Sequence, residues 1–486
     1  MKDGLREVVI LGGGITGLTT AFYLKQYSAE AGIPLRIRIV EKSPRLGGKI
    51  HTLEREGFTI EKGADSFLAR KRPIIDLALA LGLEQELTGQ GAKGKRSYFL
   101  QRGQFFPAPK GMVLGVPTDL DAFMETDLVS AEGKARVLKD LDIPKREEPG
   151  DESLGGFLAR RLGTEMVENV AEPLLAGIYA GDLFKLSLAA TFPQFKEAEE
   201  RCGSLIKGMQ EDQRTAKPPA DQPEAARNSA FLSFNHGLDT LVKGLLRALD
   251  GVEIATGTGA VRIHKDAAAE ISLGQADQPP AYQVELEDGN RLAADVMIVT
   301  VPTYEYPGLL PAYPGLGKLA ELPYISVANV VLAFDEAEAA TDFDGAGFVI
   351  SRKEGRFITA CTWTSSKWVH TAPPGRMLLR CYVGRAGDQE WVKLSDEELV
   401  AGVRREVADL MHITAEPLFH EVTRLYRSMP NYPVGHLENV QAARSELAAD
   451  MPGVYVTGAA FDGVGLPDCI RQGRDTAAEC LAFLRK

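Results

Sequence analysis

The stretch VVILGGGITGL, residues 8 to 18, decides how this chain is read. Its first four residues are all apolar, as a strand buried on both faces of a parallel sheet requires. Gly12, Gly13 and Gly14 follow at once, then Ile15, Thr16 and Gly17, and a helical pattern continues to about Ala31. In the spacing Gly12-x-Gly14-x-x-Gly17, the first glycine permits a tight turn. The second lets a pyrophosphate approach the backbone, and the third lets the helix pack against the strand. The helix N-terminus then offers unpaired N–H groups and the positive end of its dipole to the phosphates. A second strand over residues 35 to 40 ends at Glu41, 29 positions beyond Gly12. A carboxylate there accepts hydrogen bonds from ribose hydroxyls and repels a 2′-phosphate, which disfavours NADP. The spacing predicts a Rossmann-like βαβ opening that holds a dinucleotide.

A chain of 486 residues exceeds what one core supports, so two or three structural units are expected. The formal charge of −12 argues against a nucleic-acid partner, which needs a basic face. An anionic substrate must therefore be drawn in by a local basic cluster. Cys202, Cys361, Cys381, Cys469 and Cys480 are scattered with no CxxC pair, which fits a reducing, cytoplasmic setting and gives no metal site. No signal peptide is expected from the first residues, and no apolar run is long enough to span a membrane. Peripheral contact with a membrane surface stays open.

Further along, residues 70 to 90 read as helical, with Pro73 placed for a first turn. Residues 93 to 127 are irregular and rich in Pro, Gly and Phe, and helical patterns return from Ala131 to about Gly163 and from Met166 to Leu175. The segment GMQEDQRTAKPPADQPEAARN, residues 208 to 228, is polar, has three prolines and lacks periodicity, which predicts a mobile loop. Strands dominate after it, with a hairpin at Asp288-Gly289. A helix follows from Ser395 to Met411, and the chain ends as it began, in a strand (453 to 457), a glycine loop and a helix from about Leu466. That symmetry predicts a discontinuous nucleotide domain closed by both ends of the chain.

Two segments point from a generic dinucleotide to a flavin. EKSPRLGGKI places Lys42, Arg45, Gly48 and Lys49 just after Glu41, where paired glycines let the backbone pass a bulky group and the cations suit a pyrophosphate or a flavin's polar edge. TIEKGADSF adds Gly63, Ala64, Asp65 and Ser66. With the closing VYVTGAAFDGVGLPDCIRQG, these resemble the flavin monoamine-oxidase and protoporphyrinogen-oxidase superfamily. There Val464, Gly465 and Leu466 precede a helix whose N-terminus faces the flavin. This chain has Gly458-Ala459-Ala460 where many relatives carry an acid after the first glycine.

EKGADSFLARK, PAPKGMVLGVPT, EPLLAGIYAGD, LSLAATFPQF, ACTWTSSKW and FDGVGLPDCI further resemble the coproporphyrinogen III oxidases of Gram-positive bacteria, from about residue 7 to 473. The resemblance implies FAD, a porphyrinogen substrate, dioxygen as acceptor, and removal of six electrons to give coproporphyrin and hydrogen peroxide. It allows transient contact with other heme-pathway enzymes. It also implies an α/β fold in three parts: a discontinuous Rossmann-like FAD domain, an inserted α+β substrate domain and a helical subdomain. The expected boundaries are 1–90, 229–302 and 425–486 for the FAD domain. A helical or membrane-facing subdomain occupies 91–208, a flexible loop 209–228, and the substrate domain 303–424.

No catalytic triad or metal motif stands out, and a flavin that takes hydride needs none, since the cofactor carries the chemistry. Arg70, Lys71 and Arg72 form the most compact basic cluster, and Arg70 and Lys71 are expected to meet substrate carboxylates. By the resemblance, Lys71 and Gly177 lie at the substrate and the Val261 backbone contacts the adenine. His236 reads as a capping or packing residue. The aromatic segment 99 to 106 could line the substrate channel, touch a membrane or simply pack in the core.

Overall fold

Both ends of the chain meet in one sheet. In the computed structural model, which describes residues 5 to 485 apart from 216–221, 266–280, 311–312 and 342, five parallel strands lie in the order Glu253–Thr256, Leu35–Glu41, Arg6–Leu11, Val296–Val299, Val454–Val456. Val8, Val9, Ile10 and Leu11 are fully buried at its centre because helices cover one face, over Val8 and Ile10, and a small antiparallel sheet that includes Tyr282 and Val284 packs on the other, over Val9 and Leu11. Each such side chain contributes about 1.5–3 kcal/mol. The amino-terminal helix Ile15–Ala31 stops at Gly32, which takes a left-handed φ of 67°. It packs against the carboxy-terminal helix Leu466–Leu484. A Cβ on Gly473 would lie 2.7 Å from the Thr16 carbonyl oxygen, so the two backbones approach closely there.

The inserted unit is a seven-stranded sheet in the order Phe419–Pro430, Tyr324–Asp335, Arg376–Val383, Ala360–Trp363, Gly347–Ile350, Ser97–Gln101, Gln104–Pro107. The long strand Tyr324–Asp335, next to the edge, is apolar and mostly buried, and helix Asp396–Met411 closes a core of Val330, Leu332, Leu379 and Val403. Ser395 and Glu398 cap that helix reciprocally. A smaller sheet, Ala260–Lys265, Tyr282–Leu286 and Arg291–Ala294, hangs from the nucleotide domain. Its hairpin turns at Gly289, φ 84°, as Asp288-Gly289 predicted.

The third unit is helical. Ala131–Leu138, Leu154–Leu162, Pro193–Cys202 and Leu205–Thr215 surround a polar staple. Arg161, fully buried, pairs with Asp140 and also donates to the Asp140 and Gly203 carbonyls at 2.7 and 3.0 Å. Asp140 in turn accepts from Ser204 Oγ at 2.6 Å and Ile206 N at 2.9 Å. Every polar atom of the pair has a partner, the condition under which a buried ion pair is tolerated.

Several boundaries differ from the sequence reading. Residues 97 to 107, assigned to the helical subdomain, are two strands of the inserted sheet, joined to it by parallel pairing of Ser97–Leu100 with Gly347–Ile350. That sheet runs on to Pro430, past the expected boundary at 424. The helical pattern from 131 to 163 is two helices, because Pro144 and Gly150 interrupt it. The expected flexible loop from 209 to 228 begins inside helix Leu205–Thr215, whose buried Leu205, Ile206 and Met209 anchor it against Pro193–Cys202. Glu224–Asn228 is helical as well, while 216–221 lie outside the described residues.

Candidate functional site: a cavity at the ends of the strands

In an open parallel sheet, ligands bind beyond the carboxyl ends of the strands. Here Leu11, Glu41, Thr300 and Thr457, at or just past four of those ends, all face one cavity of about 2280 Å³. Ligand pockets usually measure about 300–1,000 Å³, so this one has room for two large ligands. It runs from the glycine loop to the inserted sheet and the helical unit.

The glycine loop is built for a close guest. Gly12 has φ 108°, and a Cβ there would sit 2.5 Å from Thr300 Oγ1, which donates to the Leu11 carbonyl at 2.9 Å. A Cβ on Gly17 would come within 2.0 Å of the Gly12 carbonyl oxygen, so residue 17 must be glycine for the helix to start here. Gly14 is different. A Cβ there would meet nothing nearer than Gly48 Cα at 3.9 Å, so the space beside it is open. Gly14 is also the N-cap of the amino-terminal helix and no side chain caps it, which leaves the first-turn N–H groups for a ligand. Glu41 holds the loop through Gly13 N (2.7 Å) and Ser43 N (2.8 Å). The carboxy-terminal helix presents a second N-terminus with no side-chain cap at Gly465, and Val464, Gly465 and Leu466 line the cavity.

Most residues singled out from the sequence come together on this wall: Gly12, Gly14, Ile15, Thr16, Glu41, Lys42, Gly48, Lys49, Gly63, Ala64, Asp65, Ser66, Arg70 and Gly177. Lys49 lines the cavity, its Nζ donates to the Ser428 carbonyl, and desolvation at its tip pulls the ammonium below the ordinary lysine value. Asp65 sits between Lys367 (3.4 Å) and Arg380 (3.9 Å), with Ser66 Oγ at 2.6 Å. Burial would raise its carboxyl, but the two cations prevail and hold it at about 2.

Other candidates stand elsewhere. Gly13 and Gly17 pack inside the loop and do not line the cavity. Arg45 folds the RLGG turn, donating to the carbonyls of Leu46 (2.8 Å), Gly48 and Ile50 (2.7 Å). Lys42, though on the wall, is paired with Glu287 at 3.0 Å. Val261 turns its side chain to solvent, and Gly259 and Ala260 form the wall in its place. Lys71 does not line the cavity: it bonds both carboxylate oxygens of Asp468 at 2.6 and 2.7 Å, in the first turn of the carboxy-terminal helix. His236 meets Glu86 at 2.9 Å on the surface. Phe99 lines the cavity, while Phe105 packs on Phe348.

Sequence reasoning missed Thr300, Lys367, Arg380 and Arg385. The first was within reach, because MIVTVP reads as a parallel strand and its last residue must point at the ligand. The other three come from a short helix, an antiparallel strand and a turn, whose inward positions depend on distant partners. Among the described residues no cluster of metal ligands occurs, and no helix is long and apolar enough to cross a membrane.

Comparison with known proteins gives a consistent answer. A family model for flavin containing amine oxidoreductase matches residues 15–481. A coproporphyrinogen III oxidase of Bacillus subtilis is 43% identical over 484 residues, covering 100% of both chains. One from Staphylococcus aureus is 39% identical, covering 99% of this chain and 100% of its own. A solved Exiguobacterium structure, 36% identical, superimposes with a TM-score of 0.84 over 99% of each chain.

Proposed function

The chain belongs to the flavin-containing amine oxidoreductases and, within them, to the coproporphyrinogen III oxidase family, and from that premise we propose that it oxidises coproporphyrinogen III to coproporphyrin III. The cofactor is FAD, the final acceptor dioxygen and the by-product hydrogen peroxide, within heme biosynthesis in the cytoplasm. The observation that carries this reading is the single cavity that joins a dinucleotide cradle at one end to a roomy chamber at the other.

The residues present suit FAD. The open space beside Gly14, the uncapped helix N-termini at Gly14 and Gly465, and the Glu41 carboxylate match a diphosphate, a reducible ring and a ribose in turn. When bound, FAD supplies two-electron hydride acceptance, repeated three times for six electrons. The protein's own part is placement. Gly12 and Gly14 admit the diphosphate, and Lys49 puts a positive charge on the wall. The apolar surfaces of Phe99, Leu174 and Ile178 shape the chamber around a macrocycle and keep water from it.

A comparison of kcat/KM under air for coproporphyrinogen III and protoporphyrinogen IX, with peroxide measured alongside, tests the reading. Preference for the tetracarboxylate with peroxide release supports it. Preference for the dicarboxylate would move the chain to protoporphyrinogen chemistry.

A further inference from the structure

One cation in the cavity wall lacks what a buried cation needs. Arg385 is only 8% exposed, faces the cavity, and has no hydrogen bond or ion pair from its guanidinium among the described residues. Its backbone is fixed: the Arg385 carbonyl accepts from Gln389 Nε2 at 3.0 Å, and Ala386 N donates to the Ala180 carbonyl at 2.7 Å. Of the two carboxylates near it, Glu172 is already taken by Arg352 Nε at 2.6 Å, and Asp388 is exposed and makes no ion pair with Arg385. Arg352 also donates to the Ala386 carbonyl at 2.7 Å, which places a second positive charge close by. Burial and Arg352 both push the Arg385 guanidinium below its ordinary value, although an arginine remains charged at neutral pH.

A guanidinium that is largely buried, without an ion pair and next to a like charge gains stability from an anion that completes it. The same stretch of wall holds Glu172, Pro173, Leu174, Gly177 and Ile178, so the missing anion must belong to whatever fills the chamber. We infer that Arg385 binds a propionate carboxylate of the substrate, and that this contact, in place of one from Lys71, selects for an acidic macrocycle. The assignment rests on the porphyrinogen reading above. Two parallel N–H donors of a guanidinium match a carboxylate and fix the ring's orientation as well as its affinity.

The test uses FAD-loaded protein, with coproporphyrin III and its tetramethyl ester as probes whose fluorescence reports binding. Arg385→Met should raise Kd for the free acid roughly 10- to 100-fold, the loss of a charge-assisted hydrogen bond. Arg385→Lys should recover part of that loss, and the ester should bind wild type and Arg385→Met alike. A second readout excludes a structural role. Without porphyrin, Arg385→Met should unfold at the wild-type temperature or higher, because an uncompensated buried charge has gone. Equal Kd values for the acid in wild type and Arg385→Met, or a lower unfolding temperature for the variant, would overturn the assignment alone. Failure of the wild type to hold either porphyrin would overturn the substrate reading with it.

Discussion

Gly14→Ala separates cofactor binding from folding more cleanly than any other substitution in the loop. In the protein alone the added Cβ meets only Gly48 Cα at 3.9 Å, an ordinary contact, and φ of −75° suits alanine. Replacing a glycine N-cap by alanine then costs about 1 kcal/mol or less. With FAD present, the same methyl occupies the place where the diphosphate meets the helix N-terminus. Loss of one charge-assisted hydrogen bond costs about 1.5–3 kcal/mol, which weakens FAD roughly 10- to 150-fold. The assay has two parts: thermal unfolding of apoprotein for both forms, and FAD titration followed by quenching of flavin fluorescence. Closely spaced unfolding temperatures with a large rise in Kd are the expected result. Wild-type affinity for FAD in Gly14→Ala would refute the placement of the diphosphate.

Three further outcomes follow from the same geometry. Gly17→Ala forces a Cβ to 2.0 Å from the Gly12 carbonyl and should cost about 3 kcal/mol or more, with or without FAD, seen as loss of soluble protein. Arg161→Met leaves Asp140 buried without its counter-ion and should cost about 3–5 kcal/mol in denaturant unfolding, whereas changing both residues to apolar ones should recover most of it. Burial raises the Glu61 carboxyl to about 8, even though Leu238 N and Thr52 Oγ1 donate to it. The folded state therefore holds a proton that the unfolded state releases near 4.5. Stability should fall as pH rises from about 4.5 to about 8, by an amount on the order of a few kcal/mol, and Glu61→Gln should flatten that slope in unfolding temperatures measured across the range.

What could be read from the sequence was local or periodic. The glycine loop, Glu41, and the strand–loop–helix at each end carry their own chemistry in their spacing, and Gly12, Gly14, Glu41 and Val464 to Leu466 line the cavity. The Asp288-Gly289 hairpin was legible for the same reason. The errors share a cause, which is dependence on partners far away in the chain. Lys71 looked like a substrate contact until Asp468, 397 positions on, took its charge. Arg45 looked like a phosphate ligand but spends its donors on its own turn. Helix Leu205–Thr215 was missed because its polar end masks a short apolar face that exists only against Pro193–Cys202. Arg385 could not have been found, since an arginine is conspicuous only once its lack of a partner is seen.

The claim that the two chain ends and the inserted sheet form one reaction chamber is tested most directly by mixing oxidised protein with coproporphyrinogen III in the absence of oxygen. Bleaching of the flavin absorbance, with coproporphyrin appearing at the same rate, is the predicted result. A flavin that keeps its oxidised spectrum in the presence of saturating porphyrinogen would contradict the account.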